Sequence, residues 1–227
     1  MKYIYGLFIF FILFFMFSCS SDDYKKPPLD INTDLVLWPL QQSNYWLLSK
    51  DTINDTIKID TSYYVSTTNF FKTSGLAPFF LLDSLNSFTT ALFVQDSVYY
   101  IHFDEFSIQE NYVTSYSLPI VITKNSNEFS VTTSFQQISF NDTLTVTVNS
   151  NSQVIERNTT EAVGGQVFTQ VTKVKNRYTY LSANTQQIIL REIWFQAGVG
   201  PIKIVDENQN ISYTITAYQL AEVPIIL

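Results

Sequence analysis

Cysteine and histidine are almost missing from this sequence, with one of each in 227 residues. That scarcity excludes a disulfide framework and Cys/His zinc sites, and it removes most nucleophile–base pairs. Only 15% of the residues are charged, against roughly 25% in an average soluble domain. Basic side chains are the scarcer kind, 13 against 20 acidic, for a net −7. A general nucleic-acid binder needs phosphate-neutralising charge, so that class is excluded too. Six Gly and seven Pro are too few for a collagen-like chain or a Gly/Ser linker. Aromatics, in contrast, are plentiful: 14 Tyr, 19 Phe and 3 Trp. A chain this aromatic and this weakly charged can bury enough apolar surface to fold.

The first eighteen residues read as an address. Lys2 supplies one positive charge, and Tyr3 to Phe17 is almost wholly apolar. The run is short of the roughly 20 residues of a membrane-spanning helix but suits a signal-peptide core. It ends at Ser18-Cys19 and turns polar at once, with Ser20, Ser21, Asp22 and Asp23. The alternative is an uncleaved signal anchor with an incidental cysteine. An apolar run, a small residue and then Cys resemble the lipobox of bacterial lipoproteins, and the loose Met16-Phe17 positions resemble those of Bacteroidota. The resemblance implies cleavage before Cys19, a diacylglycerol (palmitate-type chains) on its sulfur, and an acyl chain on its new amino group. One acyl chain holds a protein marginally to a bilayer, and two or three hold it firmly. Loss of Lys2 with the signal leaves 12 basic and 20 acidic side chains, so −8.

Residues 1–18 are therefore expected to be a signal peptide and 19–34 a lipidated tether, polar and interrupted by Pro27-Pro28. Ser21-Asp22-Asp23 resembles the acidic surface-export signal of Bacteroidota lipoproteins. That resemblance implies an outer-membrane protein displayed on the cell surface, with a periplasm-facing anchor as the alternative. The bilayer, reached through acylated Cys19, is its expected partner.

From residue 35 to 227 the sequence reads as one all-β domain. Short runs alternate apolar and polar residues: Ile57 and Ile59; Phe129, Val131, Thr133 and Phe135; Leu144, Val146 and Val148; Ile211, Tyr213, Ile215 and Ala217. Asn-, Asp- and Gly-rich segments separate them, in keeping with turns. Lys124–Asn127 predicts a hairpin between Ile120–Thr123 and Phe129–Phe135. Asp206–Asn210 predicts another between Ile202–Val205 and Ile211–Leu220, and Gly164-Gly165 a turn before Gln166–Lys175. Asp83–Ser87 reads as a hairpin loop, with a short helix over Leu76–Leu85 as the alternative. Eleven or twelve strands are expected and no helix. With polar residues on one face and apolar ones on the other, the sheet must curl on itself or pack against another. A single antiparallel, strongly curved sheet or half-barrel is the first expectation, a β-sandwich the second.

Trp38-Pro39-Leu40 with Ser43-Asn44-Tyr45-Trp46, and Trp194-Phe195-Gln196-Ala197-Gly198-Val199-Gly200-Pro201-Ile202-Lys203, resemble the opening and closing motifs of uncharacterised Bacteroidota lipoproteins. The resemblance implies an all-β lipoprotein and brings no catalytic or ligand residues. Gly198 and Gly200 suit a tight turn, and Pro201 a strand start.

Candidate chemistry is sparse. His102 shares a strand face with Tyr100 and Asp104, which permits a His–carboxylate pair. Asp104, Glu128 and Asp206 are carboxylates that a glycoside hydrolase would have to bring together in space. Asp206–Asn210 offers hard oxygen ligands for Ca²⁺, although a plain turn accounts for it. Trp38, Tyr45, Trp46 and Trp194 suit either a sugar-stacking platform or core closure. Asp-Ser/Thr-aliphatic triplets resemble the O-glycosylation acceptor of exported Bacteroidota proteins, which implies glycans on Thr52, Thr56, Ser84, Ser97 or Thr143. No cofactor and no metal are expected. The functional expectation is a module that binds, without transforming, an apolar or amphipathic ligand inside its curved sheet. The alternatives are a structural or accessory subunit of a cell-surface complex, or a hydrolase with paired carboxylates.

Overall fold

A computed structural model describes residues 37–50, 53–74, 90–108, 111–122, 127–139, 142–183 and 185–221. The first turn-like residues lead into β1 (Tyr45–Lys50), β2 (Ile53–Val65) and β3 (Thr68–Ser74). After them come β4 (Thr90–Gln95), β5 (Val98–Phe103), the short β6 (Phe106–Ile108) and β7 (Asn111–Val113), and β8 (Tyr116–Ile122). The second half is built of longer strands: β9 (Glu128–Ser139), β10 (Asp142–Val163), β11 (Gln166–Leu181) and β12 (Gln186–Gln196). β13 (Gly200–Asp206) and β14 (Ile211–Gln219) complete it.

All fourteen belong to one sheet, ordered β6-β7-β9-β10-β11-β12-β13-β14-β1-β2-β3-β4-β5-β8, with every pairing antiparallel. The sheet is curved and does not close into a barrel. Its apolar face is hidden by rolling, which brings edge strand β8 against β9 and β10 without pairing to either. Side chains seal that seam. Tyr116 stacks between Phe103 (4.7 Å) and Phe135 (4.3 Å), and the Tyr178 hydroxyl donates to the Pro119 carbonyl at 2.8 Å.

The hairpin expected between β8 and β9 is therefore overturned. β8 pairs with β5, and β9 with β7 and β10, so β8 and β9 are not partners in the sheet. Asn127 contributes to β10, accepting a hydrogen bond from Val154 N at 2.7 Å. The short β6–β7 hairpin takes the place beside β9 that β8 would need. The other two expected hairpins form: β10–β11 turns at Gly164-Gly165, both with positive φ, and β13–β14 turns at residues 207–210. The loop expected at Asp83–Ser87, and the signal and tether of residues 1–34, lie outside the described residues.

β10 is longer than its alternation of apolar residues suggests. It runs on through Asn149–Gln153 and bends at three register shifts near Glu156 and Thr159, where the extra residues of bulges curve a strand. That bend lets Lys173 of β11 reach both Glu156 (2.8 Å) and Glu161 (2.7 Å). Burial works against the Lys173 ammonium, yet the two carboxylates hold its pKa above the ordinary lysine value.

Candidate functional site

The interior is built first from the two ends of the described chain. Trp38 and Trp46 are fully buried and meet edge to face at 5.7 Å, with Phe195 of β12 also 5.7 Å from Trp38. Gly200 sits against both indoles. A Cβ there would lie 2.7 Å from Trp38 Cδ1 and 3.0 Å from Trp46 Nε1, at a φ of +110° that suits glycine. The Trp46 indole donates to the Val199 carbonyl at 2.6 Å. The Tyr99 hydroxyl accepts from Trp38 N and donates to Trp38 O. Asn44 ties Pro39 to the chain end by donating to its carbonyl and accepting from Ala221 N. The opening and closing motifs thus staple one another. Trp38 and Trp46 are core, not a platform for sugars. Trp194 lies on the opposite face of β12, half-buried beneath the Lys173 and Lys203 ammonium groups at 4.3 and 4.2 Å.

A polar row crosses this interior. Ser152 of β10 stands opposite Asn176 of β11, Asn176 opposite Arg191 of β12, and Arg191 opposite Asp206 of β13. All four are buried, Arg191 with only 2% of its surface exposed. Ser152 donates to Asn176 Oδ1, and Arg191 Nη1 meets Asp206 Oδ1 at 2.7 Å. The same carboxylate oxygen accepts from Asn208 N (2.9 Å) and Gln209 N (3.0 Å), closing the β13–β14 turn. Burial lowers the Arg191 pKa, and Asp206 opposes that shift. This explains the acidic turn at 206–210 as structure. Among the described residues no group of three acidic, His or Cys side chains is placed to hold a metal.

Tyr178, Phe103, Phe195, Leu48, Ile57, Ile59 and Leu92 are also essentially without solvent exposure. Burial pushes the Tyr178 and Tyr180 phenols up, which keeps both neutral.

The other candidates are dispersed. His102 does meet Asp104, at 3.3 Å through Nε2, while Nδ1 lies 2.9 Å from Ser117 Oγ across β5 and β8. Burial lowers the His102 pKa, with Asp104 opposing, and the ring also meets Phe70 edge-on at 5.4 Å. Ser117 carries no sequence signal; only the β5–β8 register reveals it. The three carboxylates considered for hydrolysis each face a different partner: Asp104 meets His102, Glu128 accepts from Gln153, and Asp206 holds Arg191. Of the triplet sites, Ser97 forms a positive-φ hairpin turn with Asp96, Thr143 is exposed at the start of β10, and Thr56 is exposed mid-strand in β2. Thr52, Ser84, Cys19, Ser21, Asp22 and Asp23 lie outside the described residues.

A pocket of about 320 Å³ opens on the outer face of the long strands. Ser130, Val131 and Thr132 of β9, Asn149, Ser150 and Asn151 of β10, and Arg177 and Thr179 of β11 line it. Two cross-strand rows define it, Thr132–Asn149–Thr179 and Ser130–Asn151–Arg177. Thr132 Oγ1 donates to Asn149 Oδ1 and Asn151 Nδ2 donates to Ser130 Oγ, both at 2.9 Å. Those bonds use one side of each amide, leaving the Asn149 NH₂ and the Asn151 carbonyl oxygen for a ligand. No carboxylate lines the groove, and among the described residues the exposed Arg177 has no ion-pair partner. The geometry offers a neutral bed of donors and acceptors beside one guanidinium.

No family model matches this chain, and no curated protein matches it. Two solved structures are similar in fold. One is a candidate lipoprotein of Parabacteroides distasonis, with 11% identity and a TM-score of 0.46 over 84% of this chain and 100% of the other. The second is an exported protein of Bacteroides fragilis described as having a YmcC-like fold, with 10% identity and a TM-score of 0.43 over 82% of this chain and 100% of the other.

Proposed function

We propose that this chain is a lipid-anchored protein of the outer membrane, displayed at the cell surface, that binds a polar ligand on the outer face of β9, β10 and β11. Its anchor is the acylated Cys19 suggested by the lipobox-like sequence, and it binds without catalysing. The observation that carries the reading is the outer groove beside Arg177, which has no ion-pair partner among the described residues, set outside an interior of buried aromatic and aliphatic side chains. A carrier of apolar ligands would need space where Trp38, Trp46, Phe103 and Tyr178 are packed. Hydrolysis by paired acids gains no support from Asp104, Glu128 and Asp206, each engaged elsewhere.

An accessory subunit of a surface complex is the second reading. The β10–β11 hairpin favours it by exposing Ile155 and, near its tip, Val167 with 71% of its surface free.

The test is amide chemical-shift mapping of the full lipidated chain in nanodiscs, titrated separately with polysaccharide and with lipid extracted from its own envelope. Shifts with polysaccharide at Ser130, Thr132, Asn149, Asn151, Arg177 and Thr179 are expected. Shifts with lipid alone, centred on buried positions, would overturn the reading. Membrane fractionation of Cys19→Ala tests the anchor: the variant should be released, and unchanged retention contradicts lipidation.

A further inference from the structure

We infer that the outer groove takes a carboxylate-bearing saccharide, with Arg177 as its anion fork. This inference rests on the outer-face reading above and names the ligand class for it.

The argument starts from what the groove lacks. Its lining residues include no aromatic ring, so a neutral sugar would find no flat face on which to stack. Hydroxyl and amide groups alone would exchange water bonds for sugar bonds at a net gain of only about 0.5–1.5 kcal/mol each. Arg177 is the exception. A guanidinium presents donors in a rigid planar fork, and its bonds to a carboxylate are roughly twice as strong as neutral ones. The ligand should therefore supply a planar oxyanion at Arg177 and hydroxyls to its side.

The surroundings match that division. Asn151 stands in register with Arg177, and Asn149 and Thr179 form the next row along the strands. A sugar ring whose carboxylate meets Arg177 then sets ring hydroxyls over the Asn151 carbonyl oxygen and the Asn149 NH₂. The groove is open rather than enclosed, about 320 Å³, which leaves room for one or two rings of a longer chain to lie across it. Charge selects as well as attracts. The chain carries an excess of acidic residues, yet none of them lines this groove. Three other cations of these strands and of β12 are already engaged: Lys173 by Glu156 and Glu161, Lys175 by Glu207, and Arg191 by Asp206, while Arg157 is buried.

The experiment is calorimetric titration of the full lipidated chain in nanodiscs with a galacturonate tetramer, a galactose tetramer and a sulfated galactose tetramer. The galacturonate tetramer is expected to bind about tenfold or more tightly than the galactose tetramer, and to weaken as salt rises. Arg177→Gln should abolish that preference, and Arg177→Lys should restore it only in part, because the charge returns without the fork. Arg177 is exposed, so an unchanged thermal midpoint is expected for both variants. Equal binding of the charged and neutral tetramers, or indifference to Arg177→Gln, overturns the inference and leaves the outer-face reading standing. Preference for the sulfated tetramer overturns the carboxylate assignment. If no tetramer binds, the inference falls; if envelope polysaccharide also leaves β9–β11 amides unshifted, the reading beneath it falls too.

Discussion

The strands β9–β11 and the strands β3–β5 share one sheet, yet their outward faces have opposite chemistry. On β9–β11 the outer rows are Ser, Thr and Asn side chains, hydrogen-bonded across strands and open to water. On β3–β5, Phe70, Phe93, Tyr100 and His102 pack on one another, with Phe93 and Tyr100 stacked at 4.9 Å. The inward faces differ as well. The long strands bury the Ser152–Asn176–Arg191–Asp206 row, whereas β4 and β5 bury Leu92, Ile101 and Phe103. The contrast teaches a division of labour. One region is held by aromatic burial and has little polar surface to offer a ligand. The other begins a buried polar row among core valines and Tyr178, and exposes hydroxyls and amides on its outer face.

The largest expected effect strikes the row. Asp206→Ala strands the buried Arg191 guanidinium and unties the β13–β14 turn, so a loss of about 3–5 kcal/mol is expected from urea denaturation. Arg191→Met combined with Asp206→Leu should lose clearly less, because no charge is left unpaired. If both variants cost the same, the row is not what distinguishes the long strands.

Next is the staple that joins the regions. Gly200→Ala adds a Cβ against two indoles at an unfavourable φ and should cost roughly 2–4 kcal/mol. Trp46→Phe removes the donor to Val199 O from a buried site, with an expected loss of about 1–3 kcal/mol. Thermal midpoints check both. The Trp46→Phe loss should be distributed over the whole molecule, since hydrogen exchange should rise in β1 and in β12–β13 together.

How far these regions could be read in the sequence follows the same division. Ile57 and Ile59, like Val146 and Val148, announced buried strand faces by strict alternation, and Gly164-Gly165 announced its turn. The long reach of β10 was hidden because Ser150 and Ser152 occupy inward positions where apolar residues are the usual sign of a strand. Ser152 is tolerated because Asn176 receives its hydroxyl, a partner 24 residues away that only the register supplies. Arg177 was illegible for a related reason: the groove is assembled from three strands, and no short motif marks it. The Trp38 and Trp194 motifs were conspicuous, but they mark the staple and a lysine clamp instead of a binding surface.

The smallest expected effect belongs to β5. The folded state lowers the His102 pKa below its ordinary 6.5, chiefly through burial. The unfolded chain therefore takes up a proton first as pH falls. The contribution is complete above about pH 6.5 and is lost as acidity passes the lower folded value. His102→Gln should flatten that part of the stability–pH curve, measured by thermal midpoint. A curve of unchanged slope would remove His102 from the account.

The central claim is that the ligand surface lies outside a filled sheet. Native mass spectrometry of gently purified, lipidated protein tests it most directly. On the proposed processing, the expected mass is that of the polypeptide from Cys19 onward with its acyl groups and any covalent glycan. A stoichiometric apolar molecule retained beyond those groups would contradict it.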